Sequence, residues 1–150
     1  MAPRTRHAGT DWLATCAPDP AFVRRRWAGA QLAPIPVGRS WLVAETTLTR
    51  TMDAMERVGS DRLGPVLVHP EADLAWWLVP LDGDQELADV GVLTIRTEPW
   101  TLLCPPAHEY LNGCGWLENP DGSGRLTDPA ALGAAFGPGG PLRLPVSEFV

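Results

Sequence analysis

Cys104, His108 and Cys114 stand in a Cys-x3-His-x5-Cys arrangement with Glu109 beside the histidine. Thiolate and imidazole are the usual ligands of Zn²⁺, and a three-ligand set would leave one position open for chemistry. The spacing matches no common structural zinc pattern, and no fourth ligand follows nearby. Two small buried hydrophobes and a turn histidine therefore account for the same residues. Cys104 and His108 also read as nucleophile and base, although no thiol-hydrolase signature accompanies them. Glu45 ends the apolar run that begins at Trp41, and it is the lone acid there. Trp76 and Trp77 are adjacent in a second apolar run, so on a strand they face opposite sides of the sheet. One of them should pack against helices, while the other can pack likewise or line a groove where a base would stack.

Other patterns carry less. Ser123 in Asp121-Gly-Ser-Gly124 lacks the Gly-x-Ser-x-Gly of a nucleophile elbow, and the two glycines make a turn. Pro138-Gly-Gly-Pro141 has no Lys or Ser/Thr where a phosphate loop needs them. Asp82, Asp84, Glu86 and Asp89 do not follow the calcium-loop pattern and read as a solvated face. Arg24, Arg25 and Arg26 are consecutive, so a helix points them in different directions rather than onto one phosphate.

The elements that must position these residues can be read in order. Residues 1–9 are expected to be a loose tail, followed by a short helix from Thr10-Asp11 through Cys16, with Cys16 packed. Asp19 as N-cap and Pro20 at the first helical position open a second helix that Gly29 can end, giving a helical hairpin. Leu32 to Gly38 is held extended by its prolines, and Trp41 to Ala44 reads as a buried strand. Leu48, Met52, Met55 and Val58 recur at helical spacing as a core stripe; Asp53 can pair with Arg57, and Gly59 stops the helix.

Pro65 to His69 and Leu74 to Pro80 form a hairpin across a four-residue loop. Asp82 to Asp89 makes one helical turn. Val92 to Arg96 and Trp100 to Cys104 read as two strands joined by Thr97-Glu-Pro99, expected to be the strongest strand pair in the chain. Asn119 to Gly124 is a turn cluster. Asp128-Pro129 opens a last helix with Leu132 and Phe136 inward and Gly137 at its end. The expected architecture is α+β: a mostly antiparallel sheet with covering helices, in a single domain over residues 10–137, with a Gly/Pro-rich tail at 138–150.

Composition narrows the function classes. A chain of 150 residues, 45% hydrophobic and 20% charged, is long enough to bury a core. It has no run of about 20 apolar residues for a membrane span and no apolar leader, so the cytoplasm is the expected location. Three cysteines, an odd number, argue for free thiols. All basic residues are arginine. With a net charge of -6, the overall field opposes polyanions, which makes nucleic acid a doubtful partner.

Val92-Leu-Thr-Ile-Arg96, then Trp100-Thr-Leu-Leu-Cys-Pro-Pro106, then Asn112-Gly113 and Trp116-Leu117 resemble the end of the bifunctional DNA primase/polymerase N-terminal domain. The upstream layout is similar: Gly38 before an apolar strand, an alanine- and methionine-bearing helix, Gly64-Pro-Val-Leu-Val68, and a hairpin strand ending Leu78-Val-Pro80. The resemblance covers about residues 20–132 and is similar in turn to compact, catalytically degenerate versions of the domain. It implies a primase/polymerase-like (RRM-like) core.

Active members of that family carry an Asp-x-Asp pair, a histidine and a third aspartate, because two divalent ions bridging a triphosphate need several carboxylates at one point. At the matching places this chain has Val43-Ala-Glu-Thr-Thr47, Asp73-Leu-Ala-Trp76 without histidine, and Thr94 with its neighbours. The resemblance thus implies the fold without the catalysis: a non-catalytic binding or regulatory module acting through protein contacts, with no cofactor expected. The alternatives are a residual nucleotide- or zinc-dependent enzyme centred on Glu45, Cys104, His108 and Cys114, and single-stranded nucleic-acid binding through an exposed tryptophan.

Overall fold

A computed structural model describes the backbone of residues 2–136 and the side chains from residue 7 onward. It is an α+β structure of five α-helices and seven strands among those residues, in two antiparallel sheets. The elements are α1 (Ala2–Thr15), α2 (Pro20–Ala28), β1 (Ala33–Pro36), β2 (Leu42–Thr46), α3 (Leu48–Val58), β3 (Val66–His69), β4 (Leu74–Val79), α4 (Gly83–Leu87), β5 (Thr94–Arg96), β6 (Thr101–Cys104), β7 (Gly115–Glu118) and α5 (Pro129–Phe136). The expected tail at 138–150 lies outside the described residues. No helix among them is long and apolar enough to cross a membrane.

Local chemistry sets most helix ends. Asp19 Oδ1 accepts the Phe22 N–H at 3.2 Å with Pro20 next in the chain, and Asp128 Oδ2 accepts the Ala131 N–H at 3.1 Å ahead of α5. Thr47 Oγ1 caps α3 through the Arg50 N–H at 3.1 Å, and Gly59, at φ +87°, closes it. The start of α3 is also tied to the β3–β4 loop: Asp73, in a left-handed conformation, accepts the Thr49 N–H and hydroxyl at 2.9 and 3.0 Å.

Three helical expectations need correction. Helix α1 starts at Ala2, so residues 2–9 are helical rather than a loose tail. Tertiary packing explains the extension: Gly9 is buried with its Cα against the Pro120 carbonyl, and Ala8 packs beneath Gly122. On α3 the buried stripe is Thr51, Ala54 and Val58 with Met55 beside it, while Met52 is 56% exposed. A small Ala and a hydroxyl face the sheet because the large Trp77 indole already fills that space. Arg57 reaches the Ala135 carbonyl on α5 at 3.5 Å instead of pairing with Asp53.

The main sheet has the order β5-β2-β4-β3-β7 with antiparallel neighbours. The β3–β4 hairpin forms as expected, over a single 3₁₀ turn at Pro70–Ala72. Cross-strand partners share a face. Ala44, Val66 and Trp77 therefore point one way, toward α3 and α5; Glu45, Leu67 and Trp76 point the other. The second sheet is the ribbon β1–β6, whose Ala33, Ile35, Leu102 and Cys104 are fully buried. Its end meets the second face of the main sheet, where Trp116 Nε1 donates to Pro105 O at 3.1 Å.

The expected pairing of the Val92–Arg96 and Trp100–Cys104 strands does not occur. β5 adds to β2, and β6 adds to β1 in the other sheet. Each strand is apolar enough to pair, and tertiary edges decide with what. β2 has a free edge for β5, and the proline-extended β1 offers an edge to β6, with Val37 N–H bonding Trp100 O at 2.9 Å. Strand β7 was not expected, and it completes the main sheet beyond β3.

Candidate functional site

Strand β2 is the second strand of the main sheet and delivers Glu45 near its C-terminal end, on the face away from α3 and α5. Three N–H donors converge on this carboxylate. Trp76 Nε1, from the opposite position on β4, donates to Oε1 at 2.9 Å. Arg96, from β5, donates through Nε to Oε1 at 3.3 Å and through Nη2 to Oε2 at 3.2 Å. The guanidinium also lies over the Trp100 ring, 5.1 Å from its centroid. The glutamate side chain keeps 17% of its exposure and the arginine 36%, so the pair sits at the margin of the core. A forked guanidinium with an aromatic floor is held more firmly than an ordinary surface ion pair.

Trp76 and Trp77 do face opposite sides. Trp77 is fully buried against the helices, donating Nε1 to Thr51 Oγ1 at 3.0 Å and meeting Phe136 edge-on at 5.7 Å. Trp76 is 8% exposed, so its indole serves Glu45 and offers little face for a stacked base.

Cys104, His108 and Cys114 do not gather into a ligand set. Among the described residues no group of three or more His, Cys, Asp or Glu side chains is arranged to hold a metal ion. Cys104 ends β6 with no exposure, and Cys114 is 5% exposed ahead of β7. His108 is exposed in the loop between them, at φ +66°. Burial raises the Cys104 thiol well above its ordinary range, and the neighbouring Cys16 and Cys114 raise it further. Burial also raises Cys114. Neutral, enclosed thiols of this kind are poor nucleophiles. Cys16 is packed as expected, its sulfur accepting from Trp41 Nε1 at 3.3 Å. Its thiol is raised by burial, against the lowering effect of that bond.

Several participants were invisible in the sequence. Arg96 is one of twelve basic residues, and nothing near it in the chain pointed to Glu45, 51 positions away. His69 ends β3 with its ring under Gly113 and its Nδ1 buried without a hydrogen-bond partner. The Asn112-Gly113 pair was a legible signal: both residues take positive φ, the requirement of a two-residue hairpin turn, and that turn starts β7. The three arginines of α2 part as expected. Arg24 pairs with Asp11 at 2.9 Å, Arg25 lies over Phe22, and Arg26 bonds the Leu32 carbonyl at 3.0 Å.

The chain matches no protein-family model, no curated protein and no solved structure.

Proposed function

We propose that this chain is a non-catalytic module with a primase/polymerase-like (RRM-like) core that works through contacts with a protein partner. From β2 to β5 the elements run strand, helix, strand, strand, helix, strand, and the four strands interleave in the order β5-β2-β4-β3. That interleaved β-α-β-β-α-β arrangement supports the core assignment.

One observation carries the non-catalytic reading. Glu45, the acid at the end of the sheet where divalent ions would need oxygens, already accepts three N–H bonds, and a guanidinium holds the charge-neutralising position. A carboxylate offers about four lone-pair sites, and two-metal chemistry requires several such groups converging. An entering cation would have to displace Arg96 and would still meet a single carboxylate. The acidic chain, with its net charge of -6, favours protein over nucleic acid as the partner.

Primer-extension and nucleotide-hydrolysis assays with Mg²⁺ and with Mn²⁺ test the first half, and both should be blank. Turnover that Glu45→Gln abolishes would overturn it. Size-exclusion with light scattering, then affinity capture with the full chain from its native host, tests the second half. The expected result is a stoichiometric protein complex that survives nuclease treatment. Capture that depends on nucleic acid would replace the protein-contact reading.

A further inference from the structure

The hairpin that carries β7 is closed at both ends and open in the middle. At its tip Leu111 and Cys114 exchange N–H···O bonds of 2.8 and 3.0 Å across Asn112-Gly113. At its base the His108 N–H donates to Asn119 Oδ1 at 2.6 Å. Residues 108–111 thus face residues 114–119, and the longer arm bows away from the shorter. Two features keep the shorter arm out of the ladder: the positive φ of His108, and the Glu109 N–H, which turns back to Pro106 O at 3.3 Å.

The gap is a hollow of about 380 Å³, lined by His108, Glu109, Tyr110, Gly115, Trp116 and Asn119. This volume lies in the range of about 300–1,000 Å³ usual for small-ligand sites.

The lining joins two aromatic residues to one carboxylate. Peptide groups alternate in direction along a strand, so those of Trp116 point the same way as those of Cys114, toward the shorter arm. The Trp116 carbonyl and N–H therefore both face the gap, Asn119 Oδ1 accepts the His108 N–H at 2.6 Å, and Glu109 is the acidic residue of the lining. Among the described residues Glu109 forms no ion pair, and no arginine lines the gap. Tyr110, 66% exposed, lays its ring across Gly115, where any Cβ would come within 2.8 Å of the ring edge, and Trp116 supplies a second aromatic group. An anion would meet the Glu109 charge. A hydrated inorganic cation would gain nothing from the rings. A flat cation rich in donors and without acceptors satisfies both the acceptors and the aromatic faces, and among protein side chains that is guanidinium.

We propose that this hollow binds a guanidinium group, namely an arginine side chain presented by the protein partner. The proposal rests on the protein-contact reading given above and names the chemistry of that contact.

Two-dimensional ¹H–¹⁵N NMR of the full chain tests it, with titration by Nα-acetyl-arginine methylamide, by its neutral citrulline counterpart, and by a capped hexapeptide of glycine and serine around one arginine. The expected result is saturable shifts confined to residues 108–119 and the Trp116 indole for the arginine compounds. Citrulline should bind at least about fivefold more weakly, as should arginine to the Glu109→Gln and Tyr110→Ala proteins. Equal binding of arginine and citrulline, or shifts scattered over the surface, overturns the site without reference to any variant. The peptide should bind more tightly than the capped amino acid; if it binds no better, the hollow serves a free small guanidine and the partner half fails. A partner captured equally by wild type and Glu109→Gln would leave the protein-contact reading intact and overturn this site as its means.

Discussion

Glu45 shows how a single side chain is reassigned by its neighbours. On β2 it occupies a position from which a carboxylate could meet an ion, yet Trp76 and Arg96 already supply three donors. The cost of that arrangement is mutual dependence. Removing the guanidinium leaves a carboxylate with 17% exposure short of its charge partner, and partly desolvated charges are expensive to orphan. Arg96→Ala should therefore lower the unfolding free energy by about 1–3 kcal/mol in urea titrations. Arg96→Ala combined with Glu45→Ala should recover part of the loss, since the double change removes the orphan. A double-mutant cycle with no coupling would mean that the fork contributes only packing. Glu45 was legible in the sequence as a lone acid on a strand. Its partner was not, because an ion pair between residues 45 and 96 depends on β5 choosing the free edge of β2.

At the scale of elements, the places where sequence reading succeeded share a cause. Asp19-Pro20, Gly59 and Asp128-Pro129 act through hydrogen bonds and dihedral preferences within a few residues, and the helix ends they imply are the ones that form. The hairpin β3–β4 is equally local. The Val92–Arg96 and Trp100–Cys104 segments failed as a pair because their partners, β2 and β1, lie far back in the chain. The β7 hairpin is local too, and Gly113 is its pivot: φ is +86°, and a Cβ there would sit 3.0 Å from His69 Cε1. Both conformational strain and contact oppose a side chain. Gly113→Ala should cost about 1–3 kcal/mol of unfolding free energy, measured by the same urea titration. Loss of less than about 0.5 kcal/mol would mean the turn relaxes freely.

Across the whole molecule, the fold brings Cys16, just after α1, into one core with the distant Cys104 and Cys114. All three thiols have folded-state pKa values above the ordinary 9.0, burial being the largest cause for each. A raised folded pKa means that the unfolded chain releases protons first. The stability from keeping these thiols neutral is fully present below pH 9.0 and is lost as pH rises above it toward the folded values. The sequence contains no lysine and one tyrosine, so few other groups titrate in that window. Unfolding free energy should fall as pH rises above 9.0, and Cys104→Ala should flatten the fall while lowering the plateau. An unchanged slope in Cys104→Ala would place the alkaline sensitivity elsewhere.

By itself the sequence determined both ends of α2, the end of α3, the start of α5, the β3–β4 hairpin, the α+β class and the opposite-facing tryptophans. These follow from contacts a few residues apart and from the two periodicities of side-chain direction. Only the tertiary structure decided that residues 2–9 are helical, that β5 and β6 belong to different sheets, that Arg96 closes on Glu45, and that Cys104, His108 and Cys114 form no ligand set. Each of those outcomes depends on which strand edge or surface is vacant once the rest of the chain has packed. A short window of residues carries no record of that vacancy, because the groups that create it are tens of positions away.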